Sequence, residues 1–218
     1  MNKGSSQKLN SPDASKTEKV GVSTESVGKK KILVHICCSS CFSYVSKRLR
    51  EDGLEVVGYF YNPEVHGKGE YDKRLKDVRD FCNEKKIELI VPKYDVQEFF
   101  APIMPFMDKT SIKYISDKKR WKRKRCQICI LNLLEKTAET ARDQKVNYFT
   151  STMLTSPYKD HDEIWNQGLV LEQLFKISFY YRDFRKGYWA GRNYGRSHKM
   201  VIPSYCGCVY SAEEGILE

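Results

Sequence analysis

The chain has 218 residues, a formal net charge of +10 and eight cysteines. That length buries a sizeable core. No apolar run approaches the about 20 residues of a membrane-spanning helix, and no signal-peptide apolar segment opens the chain, so a cytoplasmic protein is expected. The positive charge points to an acidic partner, nucleic acid above all. In that compartment the cysteines argue for metal or redox chemistry rather than structural disulfides.

Residues 1–30 are rich in Ser, Lys, Gly, Asn and Thr and nearly devoid of large apolar side chains, the composition of a disordered tail. Residues 31–218 are expected to form a single α/β domain. It opens with an apolar strand from Lys31 that ends in Cys37 and Cys38. Two serines and Cys41 lead on to a helix over 42–51. In open α/β sheets ligands sit beyond the carboxyl ends of strands, and here that place holds thiols. In a regular strand Cys37 and Cys38 would face opposite sides, so the chain must turn between them for both to serve one site. The helix N-terminus that follows favours thiolates. His35, inside the strand, reads as a hydrogen-bonded core residue.

A second strand, over 55–61, is almost continuously apolar and aromatic, the mark of a central parallel strand. Asn62-Pro63 closes it and opens a loop over 64–69 at the same edge. A helix over 70–86 carries Tyr71, Leu75, Val78 and Cys82 at helical spacing, with Cys82 as a buried structural thiol. A third strand covers 87–92, and residues 96–107 read as a short helix and a lid. A fourth strand over 147–153 runs into Thr-Ser-Pro-Tyr-Lys-Asp, before a helix over 161–176. This alternation predicts βαβ units with right-handed crossovers, and so a Rossmann-like parallel sheet.

Between the third and fourth strands lies K-K-R-W-K-R-K-R, Lys118 to Arg125, with seven basic residues in eight. Like charges repel, and Trp121 in their midst is apolar. A phosphate-binding loop with one stacking residue explains both features better than a solvated loop. Lys119, Arg120, Trp121, Lys122 and Arg123 are the candidate nucleic-acid contacts. The aromatic and basic segment 180–196 repeats the theme more diffusely and suits aromatic core packing equally well.

Cys126 and Cys129 follow the octet at the expected start of a helix, which puts both sulfurs on one face. With Cys37 and Cys38 they make four thiolates at two helix N-termini, a donor set for a closed tetrahedral zinc or an iron–sulfur cluster. The separation of the two pairs, and the place of one at a strand end, favour the cluster. Cys41 is a candidate extra ligand. Gly207 permits the turn that a strained, easily reduced disulfide between Cys206 and Cys208 would need; a second metal site or two buried thiols are the other readings.

H-I-C-C-x-x-C, Y-N-P-x-x-H with E-Y-x-x-R after it, R-C-x-x-C, T-S-P-Y-K and Y-C-G-C-x-Y-S follow one another over residues 31–211. In this order they resemble the cobalamin-independent epoxyqueuosine reductases. The resemblance implies a nucleotide α-hydrolase-like architecture, here with a C-terminal aromatic and basic extension. It implies reduction of epoxyqueuosine to queuosine at the wobble position of tRNA, the last step of queuosine biosynthesis, with tRNA and an external electron donor as partners and no membrane. It implies a [4Fe-4S] cluster on Cys37, Cys38, Cys126 and Cys129, and a redox-active pair, Cys206 and Cys208. Some members hold an additional mononuclear iron; the matching position, which can be Asp in relatives, is Cys41 here. The matched motifs put substrate contacts at Asn62, His66, Tyr71, Arg74, Tyr158 and Lys159. Asp160, Asp162, His66 and Tyr71 are candidate proton donors, being at or near strand-edge loops. Two other readings are a tRNA-thiolating or adenylating enzyme of the same fold and a non-catalytic, zinc-stabilised RNA-binding module. The former would need a glycine-rich loop where C-C-S-S-C stands.

Overall fold

The computed structural model describes residues 29–106 and 118–214. The tail expected over 1–30 lies outside the described residues, apart from Lys29 and Lys30, as does the end of the expected lid at Met107. The elements are β1 (Lys31–His35), α1 (Ser39–Glu51), β2 (Glu55–Tyr59), α2 (Lys68–Lys85), β3 (Glu88–Ile90), α3 (Gln97–Phe100), α4 (Lys118–Asp143), β4 (Tyr148–Ser151), α5 (His161–Phe175), β5 (Ser178–Phe179), α6 (Tyr188–Ser197) and α7 (Val209–Glu214). The strands pair in parallel in the order β3-β2-β1-β4-β5. Ile32, Leu33 and Val34 of β1 are fully buried, as a central strand covered on both faces requires. β5, only two residues long, is too short to leave a periodicity and was not foreseen.

The strand order turns back between β1 and β4, so the connections leaving these two neighbours diverge and open a crevice beyond their carboxyl ends. His35 pairs with both Tyr59 and Ser151. The three central strands therefore end level, and the loops after them meet at one edge.

Two expectations are corrected at the level of elements. The basic octet is helical, forming the first turns of α4. Lys and Arg are strong helix formers, and a helix spreads their charges around its circumference. Trp121 and Arg125, one turn apart, face inward instead, with 8% and 2% of their surface exposed. Trp121 packs with Phe99, Ile103 and Cys208 in a second, smaller core, and the Arg125 guanidinium lies 4.3 Å from the Tyr210 ring centroid. Cys126 and Cys129 consequently sit about two turns inside α4, not at its N-terminus.

The aromatic and basic segment folds onto α1. Gly187, Gly191 and Gly195 recur every four residues and form the face that meets α1. A Cβ on Gly191 would stand 2.5 Å from the Ser40 carbonyl oxygen, so a larger residue there would push the two backbones apart. No helix among the described residues is long and apolar enough to cross a membrane.

Candidate active site

The site begins where β1 ends. The Cys37 amide donates to Thr152 Oγ1 at 2.9 Å, tying the β1 exit to the β4 exit. His35 is fully buried, with Nδ1 2.9 Å from Ser151 Oγ and Nε2 2.9 Å from the Tyr61 carbonyl oxygen. Burial holds its pKa down to about 4, so the ring is neutral and acts as a core pin. The chain turns at Cys38, the extended residue that caps α1. The Cys38 thiol is pulled down to about 6 by hydrogen bonding from Cys41 and then from Ser40, whose Oγ is 3.3 Å away. Cys41 rises well above the ordinary thiol value because it gives that hydrogen bond, and burial pushes Cys37 up to about 12.

Three further segments bring groups to the same place. Cys126 and Cys129 come from α4. Lys159 comes from the loop after β4, where its ammonium meets burial that disfavours its charge. The facing sulfurs of Cys206, Cys129, Cys126 and Cys37 outweigh that and raise its pKa well above the ordinary lysine value. Glu64 comes from the loop after β2. It is buried, its Oε2 has no hydrogen-bond partner, and burial lifts its pKa to about 8.

The fifth segment is the C-terminal loop. Gly207 takes φ +119°, a region that L side chains rarely adopt, and brings the Cys206 and Cys208 sulfurs to 3.6 Å. Ser211 Oγ lies 3.0 Å from Cys206 Sγ, and the Ser211 amide donates to Cys208 Sγ at 3.3 Å. Hydrogen bonding from Cys208, aided by Lys159 and Ser211, holds Cys206 well below the usual thiol range and raises Cys208. Of the two, Cys206 is the more easily ionised. The loop is fastened from α2 and the β2 exit. Arg74 donates to the carbonyl oxygens of Cys206 at 3.0 Å and Tyr205 at 3.4 Å. The His66 amide donates to the Gly207 carbonyl, and the Val209 amide donates to His66 Nδ1.

This placement revises several expected roles. Asn62, Tyr71 and Arg74 are 1%, 3% and 2% exposed, so they shape the site from behind. Asn62 Nδ2 donates to the Ile36 carbonyl, Tyr71 packs on Tyr94, and Arg74 and His66 hold the Cys206–Cys208 loop. Asn62 Oδ1 and His66 Nε2 are left without a hydrogen-bond partner among the described residues. Trp121, expected to stack on a base, is buried in the second core. Lys119, Arg120 and Arg123 are exposed and Lys122 is partly so. Asp160 caps α5 by accepting from the Glu163 amide, and Asp162 is exposed in the first turn. Tyr158 is 44% exposed and Lys159 is half-buried in the loop after β4. Glu64 was missed; its one signal was a carboxylate inside the Y-N-P-x-x-H stretch. Cys82 packs in the main core, as expected. Among the described residues, no three His, Cys, Asp or Glu side chains converge closely enough to hold a single metal ion.

Fold and site together define a parallel α/β protein whose reactive groups are thiols, gathered from three chain segments around one ammonium at the crevice between β1 and β4. The chain matches the family model described as epoxyqueuosine reductase QueH over residues 32–214. It belongs to that family. It is similar to the epoxyqueuosine reductase QueH of Dehalococcoides mccartyi, with 32% identity over 84% of this chain and 93% of that one. Against the protein of the same name from Thermotoga maritima the identity is 31%, over 84% of this chain and 91% of the relative. For the one from Streptococcus pyogenes it is 27%, over 84% and 70%.

Proposed function

We propose that this chain reduces epoxyqueuosine to queuosine at the wobble position of tRNA, on a Rossmann-like, nucleotide α-hydrolase-like sheet extended by the aromatic and basic C-terminal segment. The observation that carries the reading is the meeting of Cys37, Cys126, Cys129 and Cys206 around Lys159, beside the dithiol of Cys206 and Cys208.

Turning an epoxide into an alkene consumes two electrons and two protons and releases the oxygen as water. Oxidation of the Cys206–Cys208 dithiol to a disulfide yields two electrons and two protons, so the balance closes in one turnover. An external reductant then restores the dithiol. The donor set also fits a [4Fe-4S] cluster, on Cys37, Cys38, Cys126 and Cys129. Cys37 neighbours Cys38 and Cys126 neighbours Cys129, so these two pairs would hold it. When bound, such a cluster supplies electrons one at a time. Lys159 offsets the negative charge of the thiolates and stabilises charge developing on the departing oxygen. Glu64 keeps its proton near neutral pH and is a donor for that oxygen. Lys119, Arg120, Lys122 and Arg123, on the outer face of α4, attract the tRNA backbone.

The test is a single-turnover reaction of anaerobically reduced protein with tRNA bearing epoxyqueuosine, followed by nucleoside mass spectrometry. Stoichiometric queuosine from wild type and none from Cys206→Ala is the expected result. No queuosine from wild-type protein with full iron, sulfide and free thiols would refute the reading.

A further inference from the structure

Burial of Trp121 leaves the basic octet without an open ring on which a base could stack. The open aromatic side chains stand elsewhere. Tyr158, beside Lys159, is 44% exposed, and Trp189 in the first turn of α6 is 62% exposed. Tyr188 joins them, its ring centroid 6.0 Å from Tyr158 and 5.2 Å from Trp189. The Tyr188 hydroxyl feels both Tyr158 and Cys41, so this row of rings starts at the rim of the thiol site.

The row is held rigidly and faces outward. Because Gly187, Gly191 and Gly195 press α6 against α1, Trp189 and Arg196, two turns apart, look the other way, while the half-buried Arg192 lies at the side of the helix. Arg192 lies 5.4 Å from the Tyr188 ring centroid and donates to the Pro203 carbonyl oxygen, tying the platform to the segment that leads into Cys206. Helix α6 contains no Asp or Glu. Lys186 and Arg196 are exposed on the same segment.

We propose that Tyr158, Tyr188 and Trp189 form a stacking platform for single-stranded RNA at the mouth of the thiol site, with Lys186 and Arg196 on the flanking phosphates. This rests on the tRNA reading above. A nucleotide whose base is worked on inside a protein must leave its stack, and its neighbours lose a stacking partner. Aromatic faces replace that partner whatever the base, while cations hold the backbone. A helix that carries rings and cations but no carboxylate, with the nearby Asp183 paired to Arg185, suits a polyanion with planar bases better than a folded protein.

The test is binding of a synthetic RNA anticodon stem-loop to the full chain, with cluster content matched across variants and salt varied. Trp189→Ala and Tyr158→Ala each weaken binding about 5- to 150-fold with the salt slope unchanged, while Trp189→Phe stays within a few-fold of wild type. A Lys186→Ser/Arg196→Ser double variant lowers the log–log salt slope by roughly 0.7 per lost phosphate contact. Trp189 is exposed, so its loss leaves the core intact. Wild-type affinity in both alanine variants, with wild-type protein still converting epoxyqueuosine in tRNA, overturns the platform alone. A wild-type protein that neither binds the hairpin nor converts the tRNA overturns the reductase reading and the platform with it.

Discussion

Arg74 Nη1 donates to the main-chain carbonyl oxygen of Cys206 at 3.0 Å. Arg74 is 2% exposed and its Nε donates to Glu70 Oε1 at 2.8 Å. One buried guanidinium therefore joins the middle of α2 to the dithiol loop from the far end of the chain. Removing it would leave buried acceptors without a donor. Arg74→Met is expected to cost about 3 kcal/mol, read from urea unfolding midpoints, and Arg74→Lys less, since it keeps the charge but not the fork. Equal midpoints for wild type and Arg74→Met would deny the clamp.

Replacing Cys37, Cys38, Cys126 or Cys129 by Ser should deplete iron, sulfide and the brown absorption of anaerobically purified protein. Cys82→Ser should not, because Cys82 is buried in the main core away from the sheet edge. Full iron and sulfide in Cys126→Ser would remove α4 from the ligand set.

The held-down Cys206 and the raised Cys208 predict unequal reactivity, since the thiolate is the nucleophile. Brief iodoacetamide treatment of reduced protein near neutral pH should label Cys206 first, as peptide mass spectrometry would show. Ser211→Ala should slow that labelling by removing a hydroxyl 3.0 Å from the sulfur. Preferential labelling of Cys208 would reverse the assignment of thiolate and thiol.

Glu64 carries a pH signature. Burial lifts its pKa from 4.5 to about 8, so between these values the folded protein holds a proton that the unfolded chain has released. The folded state binds more protons there, and stability falls as pH rises through this window. Glu64→Gln, neutral throughout, should flatten the decline in thermal midpoint and be the more stable form at its upper end. Parallel pH profiles for the two proteins would place the carboxyl outside the buried site.

The glycine face of α6 predicts opposite outcomes for one kind of substitution. Gly191→Ala sets a methyl 2.5 Å from a backbone oxygen and should cost about 1–3 kcal/mol. Gly69→Ala, in the first turn of α2 with nothing within 4 Å, should stabilise by about 0.5–1 kcal/mol. Both are read from urea midpoints, and a neutral Gly191→Ala would mean that α6 does not rest on α1.

The sequence alone determined the strand–turn–helix around Cys37 and Cys38, the parallel alternation and the presence of paired thiols. Each is written locally: an apolar run buried on both faces, a period of helical spacing, a thiol where a strand must end. Tertiary structure decided what could not be local. Trp121 lies in a basic run that reads as exposed, and turns inward only because Phe99, Ile103 and Cys208 arrive from other segments. Arg74 and His66 stand in motifs that read as substrate contacts, yet the Arg74 Nη1 and Nη2 groups and His66 Nδ1 bond to backbone groups at 205–209. Glu64 holds its proton only because the fold removes water from it. Which face of a side chain is free depends on what distant chain covers it, and that is a property of packing, absent from any window of sequence.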